Sequence, residues 1–401
     1  VTLRILRVLT RPNLGGPTLQ AVALWHAHRE LGAQTLLVTG AVDATESRLD
    51  PAEFGVPRLG FAAALAAGPA AAGLVELPSL GRGIQPWRDL RALWALRALA
   101  SSFAPQVLHT HTTKAGWLGR SVAAAGRMPC VAHTFHGHVL RDYFRWPMAS
   151  FLARLERYLA QRTQLLCAVS PSCADELAAA KVAPRERFVV TWPAVPLAAC
   201  QMRHAARAAL GIDPTEWRVV TVGRLVPIKR LEHFVAALAP ADGPAGDLVG
   251  SGPQQAKLAA AATGRGPRLR LLGPRADIAA LLPAYDALVL PSVREGCPLV
   301  AVEAFAAGVP VVGYDVPGVR DVLVHPHLGP DPRGLLVPEA EGPEGLRRAL
   351  LSLRARPELA AALVAAGRAA LPHFAPRRLA AQLLAAYTGG AFPVPAKDAL
   401  A

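Results

Sequence analysis

The chain has 401 residues, a formal net charge of +14 and 52% hydrophobic residues, while aromatics contribute only 6%. That length and apolar content exclude a disordered chain and a disulfide-stapled mini-domain, and leave room for two ordinary domains with separate cores. The charge fits nucleic acid, an anionic membrane or a polyphosphate ligand, and it is sharpest over residues 101–165, with 8 basic and 2 acidic side chains. Cys130, Cys167, Cys173, Cys200 and Cys297 are scattered without a C-x2-C pair, which reads as reduced thiols in a cytoplasm. No signal peptide opens the sequence, and the uncharged run Phe61–Val75 is Ala/Gly-rich and broken by Pro69, so a soluble protein is expected.

In chain order, Leu3–Leu9 predicts a strand, and a glycine loop with Gly15 and Gly16 follows. A helix over Thr18–Glu30 is closed by Gly32, and Thr35–Val38 is the next strand, which completes a β-α-β opening. The loop lacks the G-x-G-x-x-G spacing of a dinucleotide fingerprint. Residues 43–85 are uneven and loop-like. A helix at about Trp87–Ser101 leads to a strand at Gln106–His109 and the run HTHTTKAGWLGR. The strand Cys130–Thr134 ends in FHGHVLRDYF, and a helix over Pro147–Gln161 precedes the strands Leu165–Val169 and Phe188–Thr191. The proline-rich run Trp192–Cys200 is the candidate linker.

The β-α rhythm then restarts with the strand Trp217–Val222, the loop GRLVPIKR and a helix to about Leu238. Leu248–Gly250 opens onto SGP; Arg268–Leu272 is a strand and Ala276–Ala284 a helix. The organising stretch is LVLPSVREGCPLVAVEAFAAGVPVVGYD: a strand at Leu288–Pro291, a helix at about Pro298–Ala307 ended by Gly308, and a strand at Val309–Val312. Residues 342–371 and Pro376–Ala386 are helical. Two β-α series predict an α/β protein of two Rossmann-like domains, over 1–195 and 200–372, whose facing strand ends make one cleft. The C-terminal helix at about 376–390 can pack back on the first domain.

The suspicious residues lie in loops directly after strands. Arg224 and Lys229 flank the turn after Trp217–Val222 and suit a diphosphate, Arg as a planar fork and Lys as a compact charge. Glu295 and Glu303 stand eight positions apart, about 12 Å at helical rise, and the unpaired N–H groups of Gly296, Cys297, Pro298's neighbours Leu299 and Val300 sit at the positive end of a helix dipole. His109, His111, His133, His136 and His138 can be read as metal ligands, since alternate residues of a strand point the same way; His109 and His111 otherwise read as structural, hydrogen-bonded strand-end residues. The Arg- and aromatic-rich run Arg141–Arg162 is either a cationic face against anionic lipid or an ordinary helix with Phe151, Leu155 and Leu159 in the core.

GRLVPIKR resembles the GRL-x3-K loop of glycosyltransferase family 4, VGSGP its glycine turn, and EGCPLVAVEAFAAGVPVV its E-x7-E segment. HTHTTKAGWLGR and HTFHGHVLRDYF are similar to the branch of that family linked to exopolysaccharide and cell-surface glycan assembly. The resemblance implies a GT-B fold and a retaining hexosyl- or N-acetylhexosaminyltransferase. Such an enzyme moves a sugar from a nucleotide-sugar donor, uridine-linked in preference to guanosine-linked, to a glycan or lipid-linked acceptor. It implies Arg224 and Lys229 on the donor pyrophosphate and Glu303 on the ribose. It also implies Glu295, His136 and the amides of Gly296–Val300 at the transferred sugar, with Gly15, Gly16 and Gly250 as glycine loops of the donor site. No cofactor and no metal are expected, since no D-x-D motif occurs. The expected location is cytoplasmic, with peripheral contact at the inner face of the membrane. Pro193-Ala194-Val195 departs from the family's Pro-Asn-Gly linker. The competing readings are a non-catalytic sugar-nucleotide-binding protein of the same fold and a nucleic-acid binder, which lacks a recognisable module.

Overall fold

Runs such as Arg4–Leu9 and Cys130–Phe135 are buried at nearly every residue, the pattern of strands covered on both faces. A computed structural model describes residues 2–13, 15–42, 48–81, 83–125, 128–137, 148–197, 199–240, 243–263 and 268–389. It divides into two units: the described residues up to Pro196 together with those from Ala375, and Leu197–Phe374.

Among the described residues the first unit holds seven strands, β1 (Arg4–Leu9), β2 (Gln34–Gly40), β3 (Gly73–Leu77), β4 (Val107–His111), β5 (Cys130–Phe135), β6 (Leu165–Ala168) and β7 (Phe188–Val190). They pair in parallel in the order β3-β2-β1-β4-β5-β6-β7. Its helices are α1 (Gly16–Glu30), α2 (Phe61–Ala67), α3 (Pro86–Phe103), α4 (Thr113–Ala125), α5 (Met148–Ala160) and α6 (Pro171–Ala179). Helices α2, α3, α4 and α5 touch in succession on one face.

The second unit holds β8 (Arg218–Val222), β9 (Ala245–Val249), β10 (Leu269–Gly273), β11 (Ala287–Leu290), β12 (Val311–Tyr314) and β13 (Gly334–Val337), parallel in the order β10-β9-β8-β11-β12-β13. Its helices are α7 (Arg203–Leu210), α8 (Leu231–Ala237), α9 (Gln255–Thr263), α10 (Ile278–Leu281), α11 (Leu299–Ala307), α12 (Val319–Val324), α13 (Gly342–Ala355) and α14 (Pro357–Ala370). The last helix, α15 (Pro376–Tyr387), returns to the first unit. There Leu379, Leu383 and Tyr387 join Leu24 and Ala27 of α1 in one buried cluster.

Several segments differ from the sequence reading, three of them for a readable physical reason. Residues 43–85 contain α2 and β3 among the described residues, elements too short and too Ala/Gly-rich to show a period. The helical tract 342–371 is two helices, broken where Pro357 supplies no N–H to continue the ladder. Phe151 is 60% exposed, so of the expected core trio on α5 only Leu159 is fully buried.

Asp247 on β9 has no exposed surface and is the polar centre of the second unit. It accepts from Arg270 Nε at 2.8 Å, from Tyr285 Oη at 2.8 Å and from the Arg218 guanidinium. Removing a buried anion shared by two guanidiniums leaves their charge less compensated, although Glu216 still meets Arg218 at 2.9 Å, so Asp247→Ala is expected to cost about 3–5 kcal/mol of stability, measured by urea unfolding.

Candidate functional site

Strand order reverses between β8 and β11, so the helices that follow them leave towards opposite faces and their loops separate. The loop after β8 carries Gly223, Arg224 and Lys229, and the loop after β11 carries Ser292, Glu295 and Gly296. Val293 N donates to Ile228 O at 2.9 Å, which stitches the two loops together. On the other side, Leu225 N donates to Ser251 O at 2.8 Å and Gln254 N to Leu225 O at 3.0 Å, so the loop after β9 lies flat against the loop after β8. Only glycine permits that approach at position 250: a Cβ there would stand 1.9 Å from the Gly223 carbonyl oxygen.

Lys229 Nζ donates to Glu295 Oε1 at 2.5 Å, and Ser292 Oγ donates to the same oxygen at 2.6 Å. A cation and an anion thus bridge the loops on either side of the strand reversal, both largely withdrawn from water. Arg224 is exposed, and among the described residues its guanidinium has no acidic partner. Helix α11 begins at Leu299 with Pro298 as its N-cap and no side-chain cap, so amide hydrogens of its first turn stay open beside the Gly296–Pro298 loop. The half of the Glu295–Glu303 interval that precedes Leu299 is loop, so the 12 Å helical estimate does not describe it. Glu303 lies one turn inside α11, partly buried, and burial pushes its carboxyl up to about 7. Gly308, at φ 71°, ends the helix in the left-handed region as its sequence suggests.

In the first unit the reversal falls between β1 and β4. Gly15 is the N-cap of α1 at an extended φ of 173° and Gly16 is the first helical residue, so the pair opens a helix and makes no positive-φ turn. His136 follows β5 directly, and its Nε2 lies 3.0 Å from Nδ1 of His111 at the end of β4. Behind them, Arg7 on β1 is fully buried. It reaches Nε2 of His111 at 2.6 Å, Nδ1 of His28 at 3.1 Å and Nδ1 of His109 at 3.3 Å. Nδ1 of His109 also meets Tyr387 Oη at 2.5 Å, and its Nε2 meets Thr134 Oγ1 at 2.7 Å. Burial first, then the charge of Arg7, holds His28 and His109 well below the ordinary histidine range; His111 follows, and burial alone takes His136 down to about 3. These imidazoles are therefore neutral. With both ring nitrogens of His109 and His111 engaged by protein groups, the hydrogen-bonded structural reading describes these two; His138 lies outside the described residues.

The structure thus brings Arg224, Lys229, Gly250, Glu295 and the start of α11 into one loop cluster; in the other sheet Gly15 and Gly16 follow β1 at the reversal, and His136 follows β5 and meets His111 at the end of β4. Sequence reasoning missed Ser292, Arg7, His28 and Tyr387. Ser292 carries no signal beyond its place in the loop, and Arg7 interrupts an apolar strand, which is a readable sign of a buried polar network.

The raised Glu303 carboxyl gives a prediction with a definite sign. The folded protein holds this proton between about pH 4.5 and pH 7 while the unfolded chain does not, so stability is lost as pH rises through that window. Glu303→Gln is expected to raise the melting temperature at pH 8, by the equivalent of roughly 2–3 kcal/mol, and to leave it unchanged near pH 4. Scanning calorimetry at the two pH values checks it.

Two family models match the chain: Glycosyltransferase Family 4 over residues 15–199 and Glycosyl transferases group 1 over residues 216–356. A UDP-Gal:alpha-D-GlcNAc-diphosphoundecaprenol alpha-1,3-galactosyltransferase of Escherichia coli is 30% identical over 60% of this chain and 66% of its own length. A 2-deoxystreptamine N-acetyl-D-glucosaminyltransferase of Streptomyces fradiae is 28% identical over 62% of this chain and 63% of its own length. The chain therefore spans just under two thirds of the length of these two relatives. Sucrose-phosphate synthase from Thermosynechococcus elongatus superposes with a TM-score of 0.78 at 21% identity, covering 96% of this chain and 98% of that one. Anabaena HepE in complex with UDP-glucose superposes at 0.74 and 19% identity, covering 96% and 100%. With both sheets, their strand orders and the two matched models in agreement, the chain belongs to the group 1/family 4 glycosyltransferases of GT-B fold.

Proposed function

We propose that the protein is a retaining glycosyltransferase that moves a hexosyl or N-acetylhexosaminyl group from a UDP-linked donor to a lipid-linked or glycan acceptor in cell-surface polysaccharide synthesis. The observation that carries the reading is the Lys229–Glu295 bridge at the strand reversal, with Arg224 exposed on one side and the open start of α11 on the other. The relatives supply the chemistry of the class: the names of two of them specify sugar transfer, one from UDP-galactose to a diphosphoundecaprenol-linked sugar.

In this reading Arg224 and Lys229 meet the diphosphate and the first amides of α11 add partial positive charge. Glu303 accepts from the ribose hydroxyls, while Glu295, Gly296–Val300 and His136 address the sugar. Cleavage of the anomeric carbon–oxygen bond leaves both electrons on the diphosphate and an oxocarbenium-like carbon. The acceptor hydroxyl attacks from the same face and its proton passes to the departing phosphate oxygen. Charge held on fixed side chains and dipoles lowers the barrier by stabilising that leaving group. Arg224→Ala and Lys229→Ala are each expected to raise the donor KM or lower kcat/KM roughly 10- to 100-fold, the worth of one charge-assisted contact. Transfer from radiolabelled UDP-sugars measures this; donor binding by calorimetry without transfer or hydrolysis would favour the non-catalytic alternative.

An anionic membrane is the proposed partner surface. No helix among the described residues is long and apolar enough to cross a bilayer. Helices α3 and α5 instead expose Trp87 (81%), Trp94 (63%), Phe151 and Tyr158, beside Arg91 and Arg154. Their only acids turn inward onto α4: Asp89 pairs with Lys114 at 2.5 Å and Glu156 with Arg120 at 2.6 Å. Outward aromatics and arginines with every acid withdrawn suit an anionic interface. The protein is expected to co-sediment with phosphatidylglycerol vesicles and not with phosphatidylcholine ones, and Trp87→Ser/Trp94→Ser to lose most of that binding. Equal binding to both vesicles, or none, overturns this surface.

A further inference from the structure

A guanidinium has hydrogens to give and no lone pair to offer. Every ring nitrogen that Arg7 touches must therefore be an acceptor, and this fixes hydrogens several bonds away. His111 Nε2, 2.6 Å from Arg7 Nη1, carries the lone pair, so the hydrogen of this neutral ring sits on Nδ1. That Nδ1 faces His136 Nε2 at 3.0 Å, so His136 Nε2 is an acceptor in turn, and the hydrogen of His136 sits on its own Nδ1. Among the described residues this last nitrogen has no partner, and His136 is only partly buried.

The same rule fixes a parallel branch. His109 Nδ1 receives both Arg7 and the Tyr387 hydroxyl, so its hydrogen is on Nε2 and is donated to Thr134 Oγ1 at 2.7 Å. The two adjacent rings, stacked with centroids 4.4 Å apart, thus hold opposite tautomers, each dictated by one buried cation. Among the described residues no carboxylate joins the cluster; three imidazole lone pairs face the Arg7 guanidinium, with the Tyr387 hydroxyl and the Cys167 thiol close by.

Building on the reading of His136 as a sugar contact, we propose that Arg7 and His111 are positioning residues that lock His136 as an Nδ1–H donor, directed to an oxygen of the transferred sugar. His136 then does not act as a base: its Nε2 lone pair is occupied by His111, and reversing the relay would set a hydrogen on His111 Nε2 against Arg7. The aligned donors polarise one another, so part of the charge of Arg7 is felt at the terminal N–H without a second charged group in the site.

The test reads tautomers directly. In protein with 15N-labelled histidine, long-range proton–nitrogen spectra at pH 7 distinguish a protonated from a lone-pair nitrogen, with His111 and His136 assigned from the His111→Leu and His136→Ala spectra. The expected result is Nδ1–H on both and Nε2–H on His109. His111→Leu should turn His136 into a tautomer mixture and lower kcat about tenfold while changing donor KM less. A wild-type spectrum with Nε2–H on His136 overturns the proposal even if Arg7 or His111 variants fail to fold; so does an unaltered His136 tautomer in His111→Leu. If the tautomers are as expected but His136→Ala transfers sugar normally, the relay stands and the sugar-contact reading fails. If His136→Ala abolishes transfer and His136 carries Nε2–H, the reverse holds.

Discussion

Each unit turns on one topological constraint. In a wholly parallel sheet every crossover has the same hand, so the only place where two neighbouring strands send their helices to opposite faces is where the winding direction changes. Here that happens at β1/β4 and at β8/β11. The chain leaves the two strands there in diverging directions. In the second unit the gap is spanned by the Lys229–Glu295 pair, and in the first the Arg7 cluster lies beneath it. The sites follow from the winding; the side chains follow from the sites.

The two units solve the burial of charge differently. In the second, Arg218 and Arg270 converge on Asp247, so cation and anion desolvate together and Tyr285 satisfies a remaining lone pair. In the first, Arg7 is buried with neutral imidazoles as its acceptors, and burial lowers its pKa. Imidazoles compensate a buried cation less well than a carboxylate would, and such an arrangement costs stability that a purely structural cluster would not need. That imbalance, on strands whose ends carry His111 and His136, is what sets this cluster apart from the Asp247 hub.

Much of the architecture was legible from pattern. The strand–helix–strand run from Ala287 to Tyr314 has a β-type apolar block, a helix stop at Gly308 and a second apolar block, and the structure follows it within a residue or two. Arg224 and Lys229 could be singled out because a glycine and a strand precede them. What could not be read were distances between loops: Lys229 and Glu295 are 66 positions apart, and their pairing needs the β8/β11 register. Helix α2, strand β3 and strand β13 were also out of reach, being too brief for any period to declare itself. The Arg7 cluster joins β1, α1, β4 and α15, so no local motif could encode it.

The same non-local pairing bears on how an anion would be received. Lys229 holds its ammonium against Glu295, and Ser292 donates to the same carboxylate oxygen, so the charge of Glu295 is shared between two donors. An ammonium has three hydrogens, and one engaged by Glu295 leaves two for a phosphate oxygen. The carboxylate therefore orients the lysine without consuming it, and the net charge at the lysine stays near zero until a ligand brings its own. Arg224, exposed and without an acid beside it, supplies the uncompensated positive charge of the loop. For such an anion, attraction over distance would be the part of the arginine and placement at contact the part of the lysine, a division that follows from which of the two cations has a carboxylate beside it.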